Sequence, residues 1–172
     1  VKSVKNKHEY WRITIGMEQQ FRGKLSASIL QRAALAALEV ALPPEKKDKL
    51  ELSLFITDEP GITALNKKYR KKDIPTDVLS FSFTEKQGFR DTTFISPGPA
   101  IFLGEIVLCY PYIRSHAEQE KQPLSEALAW TTIHGVLHLM GRKHYKRNDK
   151  QAMQAEEQRA LQIIASQGRK EN

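Results

Sequence analysis

Leu50-Glu51-Leu52-Ser53-Leu54-Phe55-Ile56 places leucine or isoleucine at every second position. Successive side chains of a strand point to opposite faces, so Leu50, Leu52, Leu54 and Ile56 share one face of a half-buried strand. Asp58 follows as a good N-cap for a helix through Ile62, Leu65 and Tyr69. Upstream, Trp11, Ile13 and Ile15 alternate with Arg12 and Thr14, which predicts a short strand. Ser26 or Ser28 caps a helix through Ile29, Leu30, Ala33, Ala34, Leu38 and Leu42, ended by Pro43-Pro44 because proline cannot donate the next hydrogen bond.

Downstream, Val78–Phe83 is β-branched and aromatic and reads as a strand with Leu79, Phe81 and Phe83 on one face. Glu85–Ala100 holds Gly88, Pro97, Gly98 and Pro99 and reads as a loop or lid. Ile101–Tyr110 is expected to be a buried strand broken at Gly104. Helices are expected over Tyr112–Gln122 and over the mostly apolar Ser125–Met140, closed by Gly141. Asn148 or Asp149 caps a last amphipathic helix with Ala152, Met153, Glu156, Ala160, Leu161 and Ile164. Helices around a few strands, without regular βα alternation, predict an α+β fold: a single domain over residues 1–172 with a small mixed β-sheet covered by helices.

The composition agrees with a folded domain. The chain has 172 residues, 40% hydrophobic and 27% charged, enough to bury a core. The single cysteine, Cys109, excludes an internal disulfide and a cysteine-based zinc cluster. No run of about 18 apolar residues occurs. Val1–Tyr10 is charged and no apolar signal core follows it, so a cytoplasmic protein without a membrane partner is expected. The net charge of +7 is concentrated. Asn66–Asp73 carries Lys67, Lys68, Arg70, Lys71 and Lys72 against Asp73, and Arg142–Lys150 carries Arg142, Lys143, Lys146, Arg147 and Lys150 against Asp149. Two basic patches on a near-neutral body suit a polyanion, although either patch alone reads better as a solvated loop.

His134-Gly135-Val136-Leu137-His138-Leu139-Met140-Gly141-Arg142-Lys143-His144 carries the chemistry. Residues four apart on a helix project from one face, so His134 and His138 have the bite for one metal ion. Gly141 lets the helix end in a left-handed turn, and His144 swings back as a third ligand. Three neutral imidazoles suit zinc and leave a position open for water, which predicts a zincin-like metal site holding one Zn2+. With five histidines in the chain, this spacing arises by chance on the order of 10⁻⁴ of the time. The spacing is also that of the metzincin peptidases, but Gly135 stands where those enzymes carry the glutamate base. Losing one general base costs roughly 10² to 10⁴-fold, which argues against ordinary peptide hydrolysis.

The chain resembles the YbeY family of metal-dependent endoribonucleases. The metal motif matches that family's pattern, Leu65–Phe81 resembles its helix-to-strand signature, and Leu103-Gly104-Glu105-Ile106 stands where the family usually has Leu-Gly-Asp. Met153 with Glu157 resembles the family's tail helix, and the resemblance covers about residues 50–165. It implies a compact α+β fold and single-strand-specific, zinc-dependent RNA cleavage. The implied roles are ribosomal RNA maturation, notably at the small-subunit 3′ end, and ribosome quality control. The metal ligands carry over to His134, His138 and His144, and the family's functional arginine to Arg70. Arg142-Lys143 departs from the aromatic and acidic pair common there, and Ser82 replaces a common proline.

Arg70 and His134 are thus the expected catalytic residues, with Arg70 donating two parallel hydrogen bonds to the scissile phosphate. A salt bridge from Arg70 to Asp73 or Asp77 is the structural alternative. Lys67, Lys68, Lys71, Lys72, Arg142, Lys143, Lys146 and Arg147 are expected to contact RNA without reading sequence. Asp77 either orients a ligand histidine or caps a turn, the latter favoured. Glu105 reads as a buried carboxylate with a basic partner, or else as an acid or base. Tyr69, Tyr145 and Phe89 are candidate stacking residues, with Tyr69 more at home in the core; Cys109 reads as a small buried side chain. Two other functions compete with the ribosome-associated nuclease: a metallopeptidase with a displaced base, and a non-catalytic assembly factor docked on ribosomal RNA.

Overall fold

A computed structural model describes residues 10–43, 49–83, 100–143 and 146–168. Among these residues run β1 (Trp11–Met17), α1 (Ala27–Ala41), β2 (Leu50–Thr57), α2 (Glu59–Arg70), β3 (Val78–Ser82), β4 (Ile101–Cys109), α3 (Tyr110–Gln119), α4 (Leu124–Leu139) and α5 (Arg147–Gly168). The expected fold class holds: a small mixed sheet of order β1-β2-β4-β3, with β3 antiparallel to β4 and the other pairs parallel.

Alternation decides which face meets which helices. Leu50, Leu52, Leu54 and Ile56 of β2 are buried with Ile106 and Leu108 of β4, and Trp11, Ile13 and Ile15 of β1 pack against them. On that face lie α1, whose buried Ala33, Ala34, Ala36 and Ala37 allow close approach, and α4, which is buried on nearly every side. Such an all-round apolar helix must be central. On the other face α2 covers only the β3–β4 end, burying Ile62 with Leu79, Val107 and Cys109.

Several expectations are refined. Asp58 caps α2 as expected, accepting from the Gly61 amide at 2.9 Å. Ser26 occupies the N-cap of α1, but its hydroxyl meets that of Ser28 at 2.8 Å rather than the helix amides. β4 is not broken at Gly104. It is bulged: the register against β2 shifts between Glu51 and Leu52, and Gly104 adopts φ +146°. A Cβ there would lie 2.1 Å from the Phe81 carbonyl oxygen, so only glycine fits. Glu105 lies on the same side of β4 as Val107 and Cys109 and is exposed, which corrects its reading as a buried carboxylate. Tyr69 is also not core: it is 38% exposed and meets the Phe81 ring edge-on, with the Lys68 ammonium over its own ring. Cys109 is fully buried as expected, and burial pushes its thiol up to about 11.

Candidate metal centre

The first eight residues of the histidine motif lie on α4 and the turn that ends it. Gly141 takes φ +80°, its amide donates to the His138 carbonyl, and the Arg142 amide donates to the Leu137 carbonyl, each at 3.0 Å. This left-handed helix stop folds the chain back over the last turn. It sets the Arg142 carbonyl oxygen 2.9 Å from His138 Nδ1. His134 Nδ1 lies 2.7 Å from Glu157 Oε1, which reaches across from α5.

Both partners are acceptors, a carbonyl and a buried carboxylate, so each Nδ1 carries a proton and donates. Each Nε2 then presents a lone pair, and the two Nε2 atoms face one another at 3.0 Å. Two lone pairs at that distance repel unless a proton or a metal cation sits between them. Ligands of a tetrahedral zinc at about 2.05 Å are separated by about 3.3 Å, close to this spacing. The residues present therefore fit a shared metal ion. His144, the third expected ligand, lies outside the described residues, as do Tyr145 and Phe89. No group of three ligand-type side chains occurs among the described residues.

Glu157 is the member of the site that reading the motif alone misses. It is buried, and its second oxygen accepts from Trp130 Nε1 at 3.3 Å. Trp130 stacks on His134 with ring centroids 5.1 Å apart. Gly135, between the histidines, packs on the sheet: a Cβ there would meet Ile106 Cγ2 at 2.9 Å, with Val78 Cγ2 and Ser80 Oγ at 3.3 Å. The peptidase-type glutamate would have to enter that packed contact, so this chain has no room for the base at that position.

The basic residues separate into engaged and open ones. The Arg142 guanidinium binds Glu156 through Nε and Nη2 (3.0 and 2.9 Å), Met140 O (3.2 Å) and Ala41 O (3.1 Å). The hydrogen bond to Glu156 raises its pKa further above the usual arginine value. Its side chain ties the turn to α5 and to the end of α1. Lys67 pairs with Asp73 at 2.6 Å, and Lys71 reaches the Lys68 carbonyl at 3.3 Å. Lys72, Lys143, Lys146 and Arg147 are exposed. Arg70 ends α2, is exposed, and makes no ion pair with Asp73 or Asp77 among the described residues. No hydrogen bond joins it to either histidine. Asp77 caps its own turn, accepting from Val78 N at 2.9 Å and Thr76 Oγ1 at 3.0 Å.

Comparison with known proteins bears on the family and the fold. Residues 15–165 match the family model described as Endoribonuclease YbeY. A Magnetococcus marinus protein named Endoribonuclease YbeY is 34% identical over 119 residues, 69% of this chain and 80% of its own length. A Dehalococcoides mccartyi protein of the same name is 33% identical over 157 residues, 88% of this chain and 92% of its own. A Thermotoga maritima protein solved in solution shares the fold, with a TM-score of 0.59, 22% identity, and coverage of 92% of this chain and 93% of its own. The matched span includes nearly all of the sheet, the helices that cover it and the histidine pair, and on that ground the chain belongs to the YbeY endoribonuclease family.

Proposed function

We propose that this chain is a zinc-dependent endoribonuclease that cleaves single-stranded RNA, acting in the cytoplasm on ribosomal RNA, notably at the small-subunit 3′ end, and in ribosome quality control. The observation that carries the reading is the pair of Nε2 atoms 3.0 Å apart, each ring fixed through its Nδ1. Family membership supports RNA as the substrate, and the basic patches support a polyanion.

His134 and His138, with His144 as third ligand, would hold one zinc ion. Zinc in such a site supplies Lewis acidity and a water whose pKa falls to about 7. Glu157 and the Arg142 carbonyl keep both rings in the tautomer that presents Nε2, so the donors are set before substrate arrives. Arg70, open at the end of α2, pairs with the scissile phosphate and stabilises the charge that grows on its oxygens. Lys72, Lys143, Lys146 and Arg147 hold the flanking backbone, while Arg142 braces the turn that carries Lys143. The packed contact at Gly135 disfavours the peptidase alternative.

The test is metal analysis of the purified protein, followed by cleavage of single-stranded RNA with zinc and with chelator. Zinc near one equivalent per chain, cleavage that stops on chelation and returns with zinc, and loss of activity in His138→Ala are expected. Undiminished cleavage by His138→Ala would overturn the metal mechanism. Activity-free docking on ribosomal RNA would support the assembly-factor alternative instead.

A further inference from the structure

Beside the histidine pair lies a cavity of about 280 Å³ that the mechanism above does not use. Its walls include Asp77 at the head of β3, Tyr112, Ile113 and His116 of α3, Gln122 in the turn before α4, and Trp130 of α4. Trp130 belongs to both places. It lines this cavity, and it stacks on His134, one turn and about 6 Å further along α4. Trp130 and Tyr112 are 39% and 36% exposed. Two large aromatic side chains left in contact with solvent thus line one hollow, as aromatic side chains commonly do in small-molecule sites.

The lining selects the occupant. No lysine or arginine is among the described lining residues, and Asp77 repels a phosphate, so the hollow does not suit the RNA backbone. It suits a flat neutral group with hydrogen-bonding edges. Gln122 both donates and accepts, Asp77 accepts, and His116 can do either according to tautomer. The volume lies at the lower limit of small-molecule sites, roughly 300 Å³, and is ample for one base. We propose that this cavity is a nucleobase subsite, taking the base next to the scissile phosphate between Trp130 and Tyr112. A base enters such a hollow only when unpaired and unstacked, so the subsite supplies a physical reason for a single-strand requirement.

The proposal rests on the nuclease reading, and the test keeps the two apart. Trp11→Phe leaves Trp130 as the sole tryptophan. In zinc-loaded Trp11→Phe protein, AMP is expected to quench Trp130 fluorescence and ribose 5-phosphate to leave it unchanged. Should Trp11→Phe fail to fold, equilibrium dialysis of labelled AMP against the unaltered protein, with ribose 5-phosphate as competitor, gives the same comparison. Tyr112→Ala is expected to weaken AMP binding about tenfold, the typical loss for one stacking partner. It is also expected to raise KM for single-stranded RNA by a similar factor, with much less effect on kcat and none on zinc content. If AMP behaves like ribose 5-phosphate, or if Tyr112→Ala leaves AMP binding and KM in place, the subsite is overturned. AMP quenching in a protein that cuts no RNA with zinc would uphold the subsite and overturn the nuclease reading.

Discussion

Glu157 does for His134 what the Arg142 carbonyl does for His138: it holds the Nδ1 proton and turns Nε2 toward its neighbour. Losing such an outer partner commonly weakens metal binding 10- to 100-fold. Glu157→Gln is therefore expected to lower zinc affinity by about that range, measured by competition with a chromophoric chelator, while thermal unfolding confirms an intact fold. Unchanged affinity would show that the ring orientation owes nothing to the carboxylate. Cys109 gives a second prediction at this scale. Its thiol is held up to about 11 by burial, against about 9 for an exposed thiol. Below about 9 both folded and unfolded chains keep the proton, and this group adds no pH dependence. Between about 9 and about 11 the unfolded chain releases the proton first, so stability falls as pH rises across that window. Urea unfolding at pH 8 and pH 10 should show a steeper loss in wild type than in Cys109→Ala.

At the scale of elements, two glycines hold the layers together. Gly104→Ala forces a Cβ against the Phe81 carbonyl at a backbone angle that suits glycine. A cost of about 2–3 kcal/mol, or more, is expected in urea unfolding. Gly135→Glu, which restores the peptidase-type residue, is expected to part α4 from the sheet and lower the Tm strongly without creating casein hydrolysis. Retained stability with new peptidase activity would contradict the packing argument. The elements also show what was legible in sequence. The strict alternation of β2 and the i, i+4 spacing of His134 and His138 are local patterns, and both survive. Glu157 lies 23 residues beyond His134 on a helix whose rotation only packing sets, so motif spacing gave no sign of its hydrogen bond. Glu105 was misjudged because an apolar strand announces its burial without saying which face a helix leaves bare. Gly104 read as a break because a bulge and an interruption look alike until the pairing strand is known.

For the whole molecule, the charge divides by role. Arg142 is committed to Glu156 and two carbonyls, whereas Lys143, Lys146 and Arg147 face solvent. Each phosphate neutralised on a single strand contributes about 0.7 to the slope of log affinity against log salt. Replacing Lys143, Lys146 and Arg147 together by Gln is expected to flatten that slope by about 2 while leaving the Tm in place. Arg142→Gln is expected to do the reverse, losing about 2 kcal/mol of stability with little change in slope. Fluorescence anisotropy of a labelled single-stranded RNA across a salt series, beside thermal melts, separates the two.

The central position of α4 has one more consequence. Sheet, α1, α3 and α5 all pack on the helix that carries both imidazoles, so its amides should exchange with deuterium only when the chain opens globally. The donor pair is therefore as rigid as the fold itself, and its spacing stays fixed whatever the shape of the RNA strand.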